Sequence, residues 1–368
     1  MDKVSIVIPV YKDGNIVEIV ESILKDPYPN KEIIICASSP SESLQKKLKI
    51  VEKKGVKVVI YKERKGKVSE VNETVKNLDT DILVFFDADI KIRKIDISKI
   101  VEACKKYDLV EFYKDVAPKC FIGKFMHIEF LSYYAFYQYI SSKLGKSIFI
   151  NGGGFAIRKS LWDKLGGYKR VILEDVDLAI RVYSIGGKYF LLRDVELEVQ
   201  PICSWKKWFD QRKRWCSGAI EVFFTYFKEM ISFFVENPLI LLFYILVVNP
   251  SIVVLFLLLF LLPQSIIYKI SLGILILLSS KISPLLLFIV PATLISSIIY
   301  NFLFFILTTL FVLISYEVAY YKLTKKLMNP LWVIGYSLFY SLLFFLILIT
   351  IFIYYLTFER FPHFNWKV

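Results

Sequence analysis

Charge runs through the first two-thirds of this 368-residue chain and then nearly stops. From Asn237 to the end there are seven Lys/Arg and two Asp/Glu, against 40 basic and 32 acidic residues in positions 1 to 236. Mean hydropathy is +0.52, and a soluble domain of this length does not average above zero. The chain is therefore expected to be a charged globular module followed by a membrane module of apolar helices. A net charge of +13, carried mainly by the first part, favours anionic lipid head groups or phosphorylated substrates. No recognition-helix, zinc-finger or RNP-like pattern accompanies that charge, so no nucleic-acid partner is expected.

The charged part alternates strand-like and helix-like stretches. Val4–Val10, Lys31–Cys36 and Val56–Ile60 read as strands, and the stretches after them, to about Leu24, from Ser41 to Lys54 and from about Val68 to Leu78, read as helices. Helices of about ten residues between such strands predict a parallel, right-handed βαβ sheet. The next run, Leu83-Val84-Phe85-Phe86, is apolar throughout and ends in Asp87-Ala88-Asp89. A strand buried on both faces that ends in two acids places them at the sheet edge where α/β proteins bind ligands. Two carboxylates there suit a hard divalent cation, Mg2+ or Mn2+, carrying phosphate oxygens, although a solvated turn has the same composition.

Further stretches bear on that edge. Arg64-Lys65-Gly66-Lys67 precedes a helix, where Gly66 admits a close ligand and Lys67 adds charge to an anion site; a solvated basic loop is the alternative. Asn151-Gly152-Gly153-Gly154 enters an extended segment and suits a substrate-contacting loop or a tight turn. Glu174-Asp175 opens a helix with apolar positions at Val176, Ala179 and Ile180, so these acids complement the helix dipole and one can act as a general base. In Gln211-Arg212-Lys213-Arg214-Trp215, positions 211, 214 and 215 share one helical face that can hold a diphosphate and stack a ring. The tryptophans and cations of Trp205–Trp215 mark an interfacial helix. The aromatic-rich stretch Phe121–Tyr139 is expected in the bilayer interface or as a roof over the site, with His127 on its surface. Tyr189–Leu192 and Val195–Val199 read as two more strands. Cys36, Cys104, Cys120, Cys203 and Cys216 form no CxxC pair, so free core thiols in a reducing compartment are expected.

The ordered set Pro9-Val10-Tyr11, Gly66-Lys67, Asp87-Ala88-Asp89, Glu174-Asp175 and Gln211–Trp215 resembles the family 2 glycosyltransferases. It is most similar to their membrane-embedded QxxRW branch, the cellulose, chitin and hyaluronan synthases and ceramide glucosyltransferases. The resemblance covers about residues 1 to 235 and implies a GT-A-like nucleotide-sugar-binding domain. It implies donor contacts from Pro9, Tyr11, Lys67, Asp87, Gln211 and Arg214, and a metal, Mg2+ or Mn2+, on Asp89. Asp175 would be the base that deprotonates the acceptor, with inversion at the anomeric carbon, and Gly153, Glu174 and Trp215 would line the acceptor site. One departure stands out. Where family members carry an acidic run that reads the nucleobase, this chain has Cys36-Ala37-Ser38-Ser39-Pro40.

The resulting expectation is an α/β GT-A-like domain with a mostly parallel sheet over residues 1–203, then amphipathic interface helices over 204–236. Transmembrane helices follow over 237–358. Pro238–Leu262 and Leu331–Tyr355 are each long enough to span; Ile266–Ser280 is short and carries Lys269, and Pro284–Ser315 is too long for one plain span and is broken by Pro291 and Asn301. The basic Tyr321–Lys326 stretch belongs on the cytoplasmic side with the catalytic domain, which permits three or five spans and places Glu359–Val368 outside. Met1-Asp2-Lys3 leads straight into a strand with no signal-peptide pattern, which keeps the globular module cytoplasmic. The protein is thus expected to be a multi-pass cell-membrane enzyme that moves a sugar from a nucleotide-sugar donor to a lipid or glycan acceptor among membrane lipids. No span precedes the catalytic domain, which favours single transfer to a lipid over a processive polysaccharide synthase. A binding protein without turnover, or a transporter, would keep parts of the pattern.

Overall fold

The computed structural model describes residues 1–248, 310–318, 320–322 and 327–362, with 250, 252, 274 and 306 singly. The chain divides into two compact units, Met1–Ile240 with Ile347–Val368, and Leu241–Leu346. The first holds an eight-stranded sheet: β1 (Val4–Tyr11), β2 (Lys31–Ser38), β3 (Lys57–Tyr61), β4 (Ile82–Phe86), β5 (Ile90–Lys94), β6 (Leu109–Val116), β7 (Gly154–Arg158) and β8 (Tyr189–Val199). Helices α1 (Ile16–Leu24), α2 (Glu42–Glu52), α3 (Lys67–Lys76), α4 (Ile97–Lys106), α5 (Phe121–Lys143), α6 (Lys159–Leu165) and α7 (Glu174–Ser184) connect them. After β8 come α8 (Trp205–Thr225), α9 (Phe227–Glu236) and α10 (Pro238–Phe243).

Strands lie in the order β3-β2-β1-β4-β7-β6-β8-β5. The first four are parallel, as the alternation predicts. The second half departs from a mostly parallel sheet: β7 runs antiparallel to β4 and β6, β8 is parallel to β6, and β5 returns antiparallel along β8. The sheet is mixed because β7 enters from the glycine run, and a strand arriving from that end can only run back against β4. Tyr189–Leu192 and Val195–Val199 form one strand, whose register slips opposite Phe112 and Tyr113. This bulge is what made one strand look like two.

The alternation along β1 explains the core. Val4, Ile6, Ile8 and Val10 are buried with residues of α1, α2 and α4 on one face. On the other, Phe85 of β4 stacks on Phe155 of β7 (5.0 Å) and on Trp162 of α6 (4.9 Å). Both faces are covered, so β4 is apolar end to end, and its acids fall where it leaves the sheet. Pro9 lies beyond the β1–β4 ladder, which stops at Val7, and its missing N–H costs no bond to β4.

Three expectations are corrected. Helix α5 is a core helix of the first unit, packed on β6 and β8, with Phe125, Met126, Phe130, Tyr134 and Phe136 buried. Its aromatics fill the space over the second half-sheet. His127 turns inward, its Nδ1 2.6 Å from Asp115 Oδ1 of β6. Cys120 and Cys203 form a disulfide with Cα atoms 5.9 Å apart, whereas Cys36, Cys104 and Cys216 are free and buried. An 83-residue separation with no motif gave the sequence no sign of the pairing.

Of the apolar part, Pro238–Val248 is helical with a π-helical end, and residues 310–318 are helical. The helix Pro330–Phe358, 29 residues long with mean hydropathy 2.4, is the one described helix long and apolar enough to cross a membrane. Most of the expected segments Ile266–Ser280 and Pro284–Ser315, with Asn249, Lys269 and Asn301, lies outside the described residues, as do Lys325, Lys326 and residues 363–368.

Candidate active site

In the order β2-β1-β4 the chain crosses from one side of β1 to the other, which opens a crevice at the carboxyl ends of β1 and β4. Asp87, Ala88 and Asp89 leave β4 into that crevice. The β1–α1 loop lies so close that a Cβ on Gly14 would sit 2.8 Å from the Ala88 Cβ. Gly66, at φ 100°, turns the chain into α3 and sends Lys67 across the crevice. The Lys67 Nζ lies 3.1 Å from Asp87 Oδ1 and 2.9 Å from Glu174 Oε1.

The glycine run joins the same network from β7. The Asp87 N–H donates to the Gly153 carbonyl (3.3 Å), and the Gly152 N–H donates to Asp175 Oδ2 (2.7 Å). Asp175 Oδ1 accepts a second bond from the Val176 N–H at 2.9 Å. A Cβ on Gly152 would stand 2.5 Å from Asp175 Oδ2, so the carboxylate lies against bare backbone.

Helix α8 closes the crevice. Gly218 packs against the residues before α7, where a Cβ would meet Leu173 Cγ at 2.5 Å, and Glu221 accepts from the Ile172 N–H at 2.9 Å. Arg214, Gly218 and Glu221 are spaced i, i+4 and i+7, so the face that grips the start of α7 also carries Arg214 to the acids. The Arg214 guanidinium feels Glu174, Asp175, Asp87 and Asp89.

Burial and this charge distribution set the protonation states. Burial, then the neighbouring Glu174 charge, pushes the Asp175 carboxyl up to about 6, against the pull of Lys67 and the backbone donors Val176 and Gly152. Desolvation of its carboxyl beside the crevice wall, followed by the Asp87 charge, raises the Asp89 pKa. Burial works against the Lys67 ammonium, yet Asp87 and Glu174 outweigh it and hold its pKa well above the usual lysine value. Burial lowers the Arg214 pKa, opposed by the four acids.

The structure thus brings together Lys67, Asp87, Asp89, Gly153, Glu174, Asp175 and Arg214. Tyr11, at the end of β1, is 41% exposed and carries the Arg64 guanidinium 4.1 Å from its ring centre. Pro9 lies within β1, in register with Cys36. Gln211 and Trp215 are both tied to Arg212, with Gln211 Oε1 accepting from Nη1 at 2.5 Å and the guanidinium 4.2 Å over the Trp215 ring. Arg212 is fully buried and ion-paired to the equally buried Glu129 of α5. Sequence reasoning passed over Arg212, Glu129, Glu111 and Lys114. A lone acid in the aromatic helix and the charges Glu111, Lys114 and Asp115 within the stretch Leu109–Val116 were the signals available. Among the described residues no three His, Cys, Asp or Glu side chains gather to enclose a metal. Two carboxylates at the rim of the crevice nevertheless suit a hard cation whose remaining ligands are phosphate oxygens and water.

A mixed α/β domain with acids at this sheet edge suits a glycosyltransferase, and the family comparison shows that class. The chain belongs to glycosyl transferase family 21, whose model matches residues 1–349. This match and the motif resemblance agree on a glycosyltransferase. The chain is 29% identical over 233 residues to a probable glycosyltransferase, YdaM, of Bacillus subtilis, covering 59% of this chain and 55% of that protein. It is 22% identical over 170 residues to a beta-monoglucosyldiacylglycerol synthase of Synechocystis, covering 44% of this chain and 35% of that protein. The matches therefore span about half or less of these relatives. Among solved structures, a mannosyltransferase from Pyrobaculum calidifontis in complex with GDP-Man and Mn2+ shares the fold, with TM-score 0.51, 16% identity and 88% of each chain covered.

Proposed function

We propose that this glycosyltransferase is a membrane-bound, inverting enzyme of the QxxRW type that moves a sugar from a nucleotide-sugar donor to a lipid acceptor at the cytoplasmic membrane face. The observation that carries the reading is Asp175. Its carboxyl, pushed up to about 6, is aimed by the Gly152 and Val176 N–H groups into the crevice that holds Asp87 and Asp89. A base with a pKa near neutrality takes a proton efficiently from a hydroxyl at working pH.

In this reading the acceptor hydroxyl gives its proton to an Asp175 oxygen as its own oxygen bonds to the anomeric carbon. The bond from that carbon to the diphosphate breaks on the opposite face, which inverts the configuration. Arg214 and Lys67 hold the anionic leaving group, and the Gln211 amide nitrogen serves as a further donor since its oxygen is taken by Arg212. Asp89, with Asp87, would hold Mg2+ or Mn2+, whose chemistry is to neutralise developing diphosphate charge. Gly153, Glu174 and Trp215 border the acceptor's approach, and Pro9 and Tyr11 the nucleoside's. Residues 1–203 form the catalytic domain, 204–236 the interface helices and 237–358 the membrane part.

The lipid acceptor is supported by the glucosyldiacylglycerol synthase relative and by the apolar helix Pro330–Phe358. The protein in detergent, given labelled nucleotide sugar and a lipid extract, is expected to give a single organic-extractable product of inverted configuration. A ladder of water-soluble products would replace the lipid acceptor with a growing polymer, and retention would remove Asp175 as base.

A further inference from the structure

Where β7 begins, its ladder with β6 ends: pairing runs Leu109 with Ile157, Val110 with Ala156, Glu111 with Phe155, and stops. Strand β6 continues to Val116, but the glycine run peels away from it. Backbone groups that leave a ladder inside a protein need other partners. Two charged side chains of β6 supply them. The Lys114 Nζ donates to the carbonyls of Asn151 (2.6 Å) and Gly154 (3.3 Å), and Glu111 Oε1 accepts from the Asn151 N–H (2.9 Å). Lys114 also lies 3.1 Å from the Tyr134 hydroxyl and 3.5 Å from Glu111 Oε1. Tyr134 and Tyr189 donate to the two Glu111 oxygens at 3.0 and 2.8 Å. All four residues are essentially inaccessible to solvent.

The other side of the same loop touches the chemistry. Gly152 donates to Asp175, and Gly153 accepts from the Asp87 N–H. A Cβ on Gly153 would sit 3.3 Å from Lys114 Cε and 3.6 Å from Asp87 Oδ2, so one residue of bare backbone separates the buried lysine from the donor-site aspartate. Burying a lysine and a glutamate opposes folding, and an apolar pair of similar size would hold a sheet together as well. What an apolar pair could not do is fix the Asn151 carbonyl and N–H and the Gly154 carbonyl, the two ends of a glycine run that otherwise has wide backbone freedom.

We propose that Lys114 and Glu111, with Tyr134 and Tyr189, are positioning residues for sugar transfer: they lock the Asn151–Gly154 loop, and through it set the placement of Asp175 and Asp87. This rests on the reading of Asp175 as base and Asp87 as donor ligand. The network touches no substrate. Its effect belongs in turnover, since a displacement of about 1 Å at reacting groups costs on the order of a hundredfold.

The test compares the full-length protein with Lys114→Met and Tyr189→Phe, reading kcat, donor KM and peptide-resolved hydrogen exchange. For Lys114→Met, kcat is expected to fall at least about tenfold with donor KM within about threefold. Exchange over residues 151–154 should quicken at least about tenfold while β1 and β4 keep theirs. Tyr189→Phe keeps the ring and removes one donor to Glu111, so a smaller change of the same kind is expected. Wild-type kcat in both variants, or a loss spread over KM and exchange throughout the domain, would overturn the proposal. Should Lys114→Met fail to fold, Tyr189→Phe decides alone: unchanged kcat and loop exchange would overturn it. Absence of turnover in the wild type would instead strike the glycosyltransferase reading, and loop exchange in the variants would still judge the lock.

Discussion

Replacing Asp175 by Asn should stop turnover and at the same time change stability with a sign that depends on pH. The wild-type carboxyl has a pKa of about 6 in the fold against 3.8 in an unfolded chain. At 1.36 kcal/mol per pH unit, holding the carboxylate ionised costs the fold at most ~3 kcal/mol above pH 6. Asp175 is partly exposed, and solvent screening brings this to ~1–2 kcal/mol. The raised value means wild-type stability is lost as pH rises from 3.8 to about 6, and Asp175→Asn lacks that loss. The amide keeps one oxygen for Gly152 or Val176 but turns its NH2 toward the other N–H, which costs ~1 kcal/mol. At pH 8 the variant should therefore match or exceed the wild type in thermal midpoint by up to ~3 °C, and at pH 4 fall below it by a similar amount. Turnover at pH 7.5 should drop by ~10²–10⁴ with donor affinity within about threefold. Thermal unfolding across pH and donor titration on one preparation read all of this. Wild-type turnover in the variant, or a midpoint difference that does not change with pH, would refute the placement and protonation of Asp175.

Three further substitutions follow from the same contacts. Lys67→Met removes the cation between Asp87 and Glu174, so donor KM should rise at least about tenfold and the acid limb of the pH–rate profile, which reports Asp175, should move to higher pH. Gly152→Ala places a methyl 2.5 Å from Asp175 Oδ2 and should cut kcat ~10²-fold in steady-state assays with little change in melting. Arg212→Met leaves Glu129 buried without its partner and should cost ~3–5 kcal/mol in denaturant unfolding, part of which Glu129→Gln in the same chain recovers.

Much of the first half-sheet was legible because its signals are local. Apolar runs of strand length separated by helices of about ten residues fix β1 to β4 and α1 to α3, and the acids at the end of β4 follow from its two-sided burial. The crevice residues Lys67, Asp87, Asp89, Glu174, Asp175 and Arg214 could be picked out because each stands at a strand end, a helix start or a helical face, the positions that an α/β sheet turns toward its carboxyl edge. The second half-sheet was not legible. Strand β6 carries Glu111, Lys114 and Asp115 and reads as polar, since its inward charges are paid for by Asn151, Tyr134, Tyr189 and His127, partners far away in sequence. For the same reason α5 looked interfacial: its aromatics lack a helical stripe because they are buried nearly all round. Arg212 was hidden inside a run of cations, and only the fold shows which one turns inward to Glu129.

The most direct measurement of the central claim is nucleotide release from a panel of nucleotide sugars by the detergent-purified protein, with Mn2+ or Mg2+ and a lipid extract, for the wild type and Asp89→Ala. The account predicts selective release from one donor that requires the metal, rises with the extract and falls at least about tenfold in Asp89→Ala. Release from no donor by the folded protein, or release indifferent to the metal and to Asp89, would contradict it.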